Sequence, residues 1–256
     1  MIVTLDQISV FGLVVARVLG VIVLAPFFSN RQLISSGKMA LVFWFSILII
    51  FVIPLPGDAP NDSLSFILAI VAEVLIGALI GFTSDLLVTG IEFAGSLMDT
   101  QAGLSVASIL DPSTGKNAAL LELLLRYSAI MIFLLIDGHH LVLSAIQQSF
   151  NLLPVGSAID LTRGSRYVIE LGKDIFTIAV HLSAPILLIV FLIDFSFGML
   201  NRVSEQINIF QLGFQVKPSL SLLIFLAITP GLVQSILSIL EDVLDRLTML
   251  LGHLQG

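Results

Sequence analysis

The stretch EVLIGALIGFTSDLLVTGIEFAGSLMDTQAG, from Glu73 to Gly103, decides how the chain is read. Glu73, Gly77, Gly81 and Asp85 recur at every fourth residue. That spacing keeps them on one face of a helix, with a drift of about 40° per step. Gly77-Ala78-Leu79-Ile80-Gly81 is a small-xxx-small motif, which lets two helix backbones approach closely inside a membrane. Asp85, Glu92 and Asp99 follow at intervals of seven and again hold one face, with Gly95 and Gly103 near it. As a helix the stretch is about 45 Å long, more than a hydrocarbon core of about 30 Å. The helix is therefore expected to break near Gly90, to protrude, or to pack in protein instead of lipid. We read the acidic and glycine face as a seam against a partner helix. The alternative is that the acids line an aqueous conduit.

The rest of the chain agrees with a membrane setting. Of 256 residues, 57% are apolar and only 11% are charged, against about 25% charged in an ordinary soluble domain. Mean hydropathy is +1.09. Six runs are apolar enough to be membrane-embedded helices: Phe11–Phe28, Met39–Pro56, Leu64–Ile91, Ala118–Ile136, Ile175–Leu200 and Ser219–Leu240. A seventh, Leu141–Leu153, is too short to span and reads as re-entrant or interfacial. The expected fold is an all-α membrane protein of about six long apolar helices, some broken or re-entrant, forming one integral-membrane domain over residues 1–256. The C-terminal end repeats Leu240, Val243, Leu244, Leu247, Leu250, Leu251 and Leu254 against an acidic face, which predicts an amphipathic helix.

Several function classes fall away. A net charge of −7 disfavours nucleic acid as a partner. There is no cysteine, so disulfides, iron–sulfur clusters and thiol chemistry are excluded. Met1 to Gln7 has no basic residue, so the first apolar run is expected to stay in the mature chain. No Gly-x-Ser-x-Gly, P-loop or strand-following Gly-x-Gly-x-x-Gly occurs, so no catalytic constellation and no cofactor are expected. The positive-inside rule gives no orientation: five basic residues fall on one side and four on the other.

Charges stand where lipid should be. Arg17, Glu73, Asp85, Arg126 and Asp194 lie inside apolar runs. Each would cost about 2.5–3.5 kcal/mol at a helix centre. They are read as paired within an assembly; a proton or ion relay is the sharper alternative. Glu122 and Arg126, four apart in the favourable order, are expected to neutralise each other. Arg202 and Glu205 could pair in the same way. Gly138-His139-His140 is read as a helix-end turn with a polar cap, not a metal site, because no further ligands stand at recognisable spacing. His181, near Pro185, is read as a packed polar residue at a kink. The segment Gln101–Lys116 is small, polar and turn-rich, and its composition would suit a movable loop.

In order and spacing these residues resemble the FliR family of flagellar type III export-gate proteins, over essentially the whole chain. The resemblance rests on Arg17 with Pro26-Phe27-Phe28 and Lys38; on Glu73, Gly77, Gly81, Gly95, Asp99 and Gly103; on Asp111-Pro112 and Gly138-His139; on Pro185, Asp194 and Gly198; and on Arg202, Gln206, Asn208, Phe210, Gly213, Phe214 and Lys217. The chain departs from the family pattern at Ser35, Ser36, Glu205 and Gln215, where proline is usual.

The resemblance implies an all-helical subunit that joins FliP-like and FliQ-like membrane subunits in a helical hetero-oligomeric gate, with FlhB and FlhA nearby. It implies a place in the bacterial inner membrane, at the flagellar basal body. Unfolded flagellar proteins would pass through the lumen, driven by proton-motive force and a cytoplasmic ATPase. The loop Ser105–Asn117, with Ser105, Ser108, Asp111, Pro112, Gly115 and Lys116, would help to close that lumen. Arg17, Glu73, Gly77, Gly81, Asp85, Asp99, Arg126, Asp194 and Arg202 would serve as buried charges and helix-packing positions.

Two rivals come from other classes. An ion-coupled small-solute transporter would also have broken helices and buried acids, but would work alone and need Glu73, Asp85 or Asp194. An intramembrane hydrolase would need His139 or His140 with a serine.

Overall fold

The structure, a computed structural model, describes residues 5–26, 34–53, 62–105, 119–157, 161–203 and 208–255. Among these residues all regular structure is helical. The helices are α1 (Leu5–Leu24), α2 (Ser35–Ile50), α3 (Ser63–Ala102), α4 (Leu120–Leu135), α5 (Gly138–Leu152), α6 (Leu161–Val203), α7 (Ile209–Glu241) and α8 (Val243–Gln255). Among the described residues, each of the six apolar runs lies mainly on a helix.

Four stretches are long and apolar enough to cross a membrane: α1, α3, α6, and α7 with its continuation to Leu254. The α4–α5 pair, bent by 67° at its two-residue break, is either a fifth, broken span or a re-entrant loop. The 16 residues of α2 fall short of that length. The helix through Glu73–Gly103 does not break at Gly90: α3 is continuous for 40 residues. Of the three expectations for this stretch, protrusion from the hydrocarbon core or packing in protein therefore remain. Pro185 lies inside α6, and Pro218 and Pro230 inside α7, without ending either helix. Membrane helices tolerate such prolines where nearby hydroxyls and neighbours take up the freed backbone groups.

The chain forms two compact units. The first comprises Met1–Leu87, Phe133–Gly172 and Leu240–Gly256; the second comprises Val88–Ile132 and Lys173–Ile239.

In the first unit the glycines of the α3 motif meet α1. A Cβ on Gly77 would overlap the carbonyl oxygen of Arg17, and one on Gly81 would stand 2.7 Å from that of Val21. From the other side, a Cβ on Gly20 would stand 2.5 Å from the carbonyl oxygen of Val74. The backbones touch where side chains are missing, and Leu13 and Val18 of α1 and Ile76 and Ile80 of α3 are buried. On α1's other side, Phe11 meets Phe43 of α2 edge to face at 5.7 Å. The amphipathic C-terminal helix is α8. It buries Val243, Leu247, Leu250, Leu251 and Leu254, and Leu254 packs over Gly164 of α6. The Tyr167 hydroxyl donates to the Arg246 carbonyl at 3.1 Å.

In the second unit Gly90 faces Ile178, and Phe93 meets Phe176 edge to face at 5.7 Å. Gly95 lets the first turn of α4 sit directly on α3, since a Cβ there would come within 2.7 Å of the Glu122 nitrogen.

Gly77→Ala should lower stability in detergent by about 1–3 kcal/mol, because the added methyl has only backbone to displace. Gly12→Ala, where nothing lies within 4 Å, should be neutral or slightly stabilising through helix propensity. Thermal melts of the two variants beside the parent check this; equal melting temperatures would remove the seam.

Candidate functional site

The charges found in the apolar runs are the structure's most informative groups. Arg17 projects from α1 and is 0% exposed; Glu73 projects from α3 and is 1% exposed. Arg17 Nε donates to Glu73 Oε2 at 2.5 Å. Arg17 Nη1 donates to Ser149 Oγ of α5 at 3.2 Å, and that hydroxyl donates in turn to the Ile146 carbonyl at 2.7 Å. The other Glu73 oxygen, Oε1, accepts the backbone N–H of Gly156 at 2.9 Å, from the turn after α5. The Phe150 ring lies 4.1 Å from the guanidinium carbon, a distance at which the ring face attracts the cation. One ion pair thus ties α1, α3, α5 and the Gly156 turn together.

Asp99 makes the second knot, in the other unit. It is 1% exposed near the end of α3. Its Oδ1 accepts the Leu121 N–H at 3.0 Å and its Oδ2 the Glu122 N–H at 2.9 Å. These are two of the unpaired donors at the start of α4, where a carboxylate also complements the helix dipole. The Asp99 carbonyl accepts the Leu104 N–H at 3.0 Å, beside Gly103 at φ +77°. One residue therefore fixes where the chain leaves α3 and where it enters α4.

Arg126 does not pair with Glu122, as local spacing led us to expect. Its Nε meets Glu92 Oε1 of α3 at 3.1 Å. Glu122 sits in the first turn of α4, against the Asp99 carboxylate. Asp194 of α6 is neutralised by Lys217 of α7, a partner that hydropathy reading did not assign. An open pocket of about 490 Å³ surrounds this pair, lined also by Thr100, Gln101, Gly103 and Phe214.

The remaining expected positions are mixed. Asp85 is half-buried on α3, while Arg202 and His181 are exposed, so this chain alone does not bury the last two. Of the loop residues, Ser105 is described; Ser108, Asp111, Pro112, Gly115 and Lys116 lie outside the described residues, as does Glu205. At the α4–α5 turn, Asp137 stands in the N-cap position in a left-handed conformation, but its side chain makes no capping bond. The polar-cap reading of Gly138-His139-His140 is therefore corrected: the backbone makes the turn and the Asp137 carboxylate faces His140.

Chemically, the inner carboxylates are spent on structure. Both oxygens of Glu73 and both of Asp99 are taken by hydrogen bonds within the chain.

A sequence model of the family described as bacterial export proteins, family 1, matches residues 8–243. The chain belongs to that family. Among its relatives is the flagellar biosynthetic protein FliR of Bacillus subtilis, 26% identical over 97% of this chain and 98% of that protein. FliR of Pectobacterium carotovorum is 30% identical, over 96% of this chain and 95% of the relative. The Yop proteins translocation protein T of Yersinia pestis is 26% identical, over 81% and 82%. As a member of this family with several membrane-length apolar helices, the chain is a membrane protein of an export apparatus.

Glu73→Gln leaves Arg17 buried without a counter-charge and should cost about 3–5 kcal/mol; replacing both residues, as Arg17→Met with Glu73→Met, should recover much of that loss. Membrane accumulation and unfolding midpoints of the two variants check it. A double variant no better than Glu73→Gln would show that the pair does more than neutralise itself.

Proposed function

We propose that the chain is a core subunit of a flagellar type III protein export gate, acting as a single domain over residues 1–256. In this reading it assembles with FliP-like and FliQ-like subunits in the bacterial inner membrane, at the flagellar basal body. FlhB and FlhA stand nearby, and unfolded flagellar proteins are the cargo. The observation that carries the reading is the end-to-end match to FliR proteins, over 95–98% of the relatives' lengths. The match to the Yop translocation protein covers 82% of that relative.

The geometry supports it. A solute-coupling relay needs a carboxylate that can exchange a proton with water. Glu73 is sealed against Arg17 and Asp194 is held by Lys217. Glu73 is therefore spent on holding the fold, and the case against a transporter that works alone rests on the family match. Large apolar side chains stand exposed on α2 (Phe43, Trp44) and α6 (Phe191, Phe195, Met199), surfaces that lipid or sister subunits would cover. In this reading the role is structural, not catalytic. On the family resemblance, the loop Ser105–Asn117 is proposed to help close the lumen, a role that small residues would suit.

Purified gently in detergent from its native cells, the tagged chain should elute with two other small membrane proteins as one discrete particle, read by intact mass. A stable monomer or homodimer would overturn the proposal and bring the transporter forward. Separately, deleting Ser108–Lys116 should raise ion leakage across the membrane of cells that assemble the complex; unchanged leakage would remove the loop from the gate.

A further inference from the structure

The turn between α4 and α5 carries a group of side chains that the export function does not use. Asp137 has φ 57° and ψ 30°, the one non-glycine residue with positive φ among the described residues. An aspartate at an N-cap with extended backbone ordinarily offers its carboxylate to the first-turn N–H groups; the left-handed Asp137 does not. Here the Asp137 carbonyl does that work, accepting from His140 at 2.8 Å and from Leu141 at 3.2 Å. Gly138 is buried against the Phe133 ring, which a Cβ would overlap, so the turn is fixed in place. The carboxylate is left facing the imidazoles.

We propose that Asp137, His139 and His140 bind a late first-row divalent metal ion, Zn²⁺ by preference. One ligand atom from each residue lies within 4.8 Å of the others. Asp137 Oδ1 and His140 Nδ1 are 3.5 Å apart. Two ligands on a tetrahedral Zn²⁺ at about 2.0–2.1 Å stand about 3.4 Å from each other. The distance is long for a hydrogen bond and right for a shared ion. The two imidazole rings lie together, centroids 4.2 Å apart and tilted by 38°. His139 Nδ1 is shielded from solvent and has no hydrogen-bond partner among the described residues.

A plain surface pair of Asp137 with His140 would leave that nitrogen unexplained; a metal gives both histidines a role. Two imidazoles and one carboxylate favour Zn²⁺, Cu²⁺ or Ni²⁺ over Mg²⁺ or Ca²⁺. Asp137 and His140 are exposed, so water completes the coordination.

The test is calorimetric titration of the metal-stripped full chain, carrying no histidine tag, with Zn²⁺ in detergent. One ion per chain is expected. Asp137→Asn keeps a residue that tolerates the left-handed turn, and His140→Gln changes an exposed side chain, so both should fold. Each should weaken binding by more than tenfold, the least that loss of even an outer-shell partner costs a metal site. His181→Gln with His253→Gln, the chain's two other histidines, should leave binding unchanged. Co²⁺ in place of Zn²⁺ should give the intense visible absorption of a tetrahedral ion, lost in His140→Gln. Absence of stoichiometric binding, or binding that survives both Asp137→Asn and His140→Gln, would overturn the proposal.

Discussion

The first unit depends on one buried ion pair. Arg17 and Glu73 are both removed from solvent, and each alone would be intolerable in a hydrocarbon setting. Together they are neutral, but only in one arrangement. The guanidinium must meet the carboxylate at Nε and Ser149 at Nη1, while the second carboxylate oxygen reaches the Gly156 N–H. The glycines complete that arrangement. Gly77 and Gly81 bring α3 against the backbone of α1 beside Arg17 and Val21, which holds the helices close enough for the pair to form. Apolar contacts alone would leave two helices free to slide, since lipid is as apolar as leucine. A directional charge pair fixes their register.

The second unit relies on a different device. Asp99 presents its carboxylate to the start of another helix, not to a cation. Side-chain ion pairs then lie between successive helices: Glu92 with Arg126, and Asp194 with Lys217. The two units thus solve the problem of polar groups in an apolar chain in two ways, one sealed and one more open to its surroundings.

Much of this is legible in the residues. The interval of four from Glu73 to Asp85 marks a helix face, and Gly77 and Gly81 mark a close approach. Hydropathy finds the helices. What fails is partner choice. The rule for residues four apart joins Glu122 to Arg126 because it sees a single helix; in the folded chain Glu92 of α3 meets Arg126 instead. Asp99 reads as one more acid on a polar face, and nothing local announces that it caps a helix beginning after a long interval. The polar cap expected at Gly138-His139-His140 fails in the same way: Asp137 holds the N-cap position, and its left-handed backbone leaves the side chain without a capping bond. Ser149, Phe150 and Gly156 could not be found at all, because their roles exist only once Arg17 has arrived.

The double hold of Asp99 has a consequence for how far a single substitution reaches. Its carbonyl fixes the end of α3 through Leu104, and its carboxylate fixes the start of α4 through Leu121 and Glu122. The two helix ends are thereby tied to one residue. A change at Asp99 would therefore disturb the end of one helix and the start of the next together, and Gly95 is the position that lets those two helices lie close enough for a single residue to hold both.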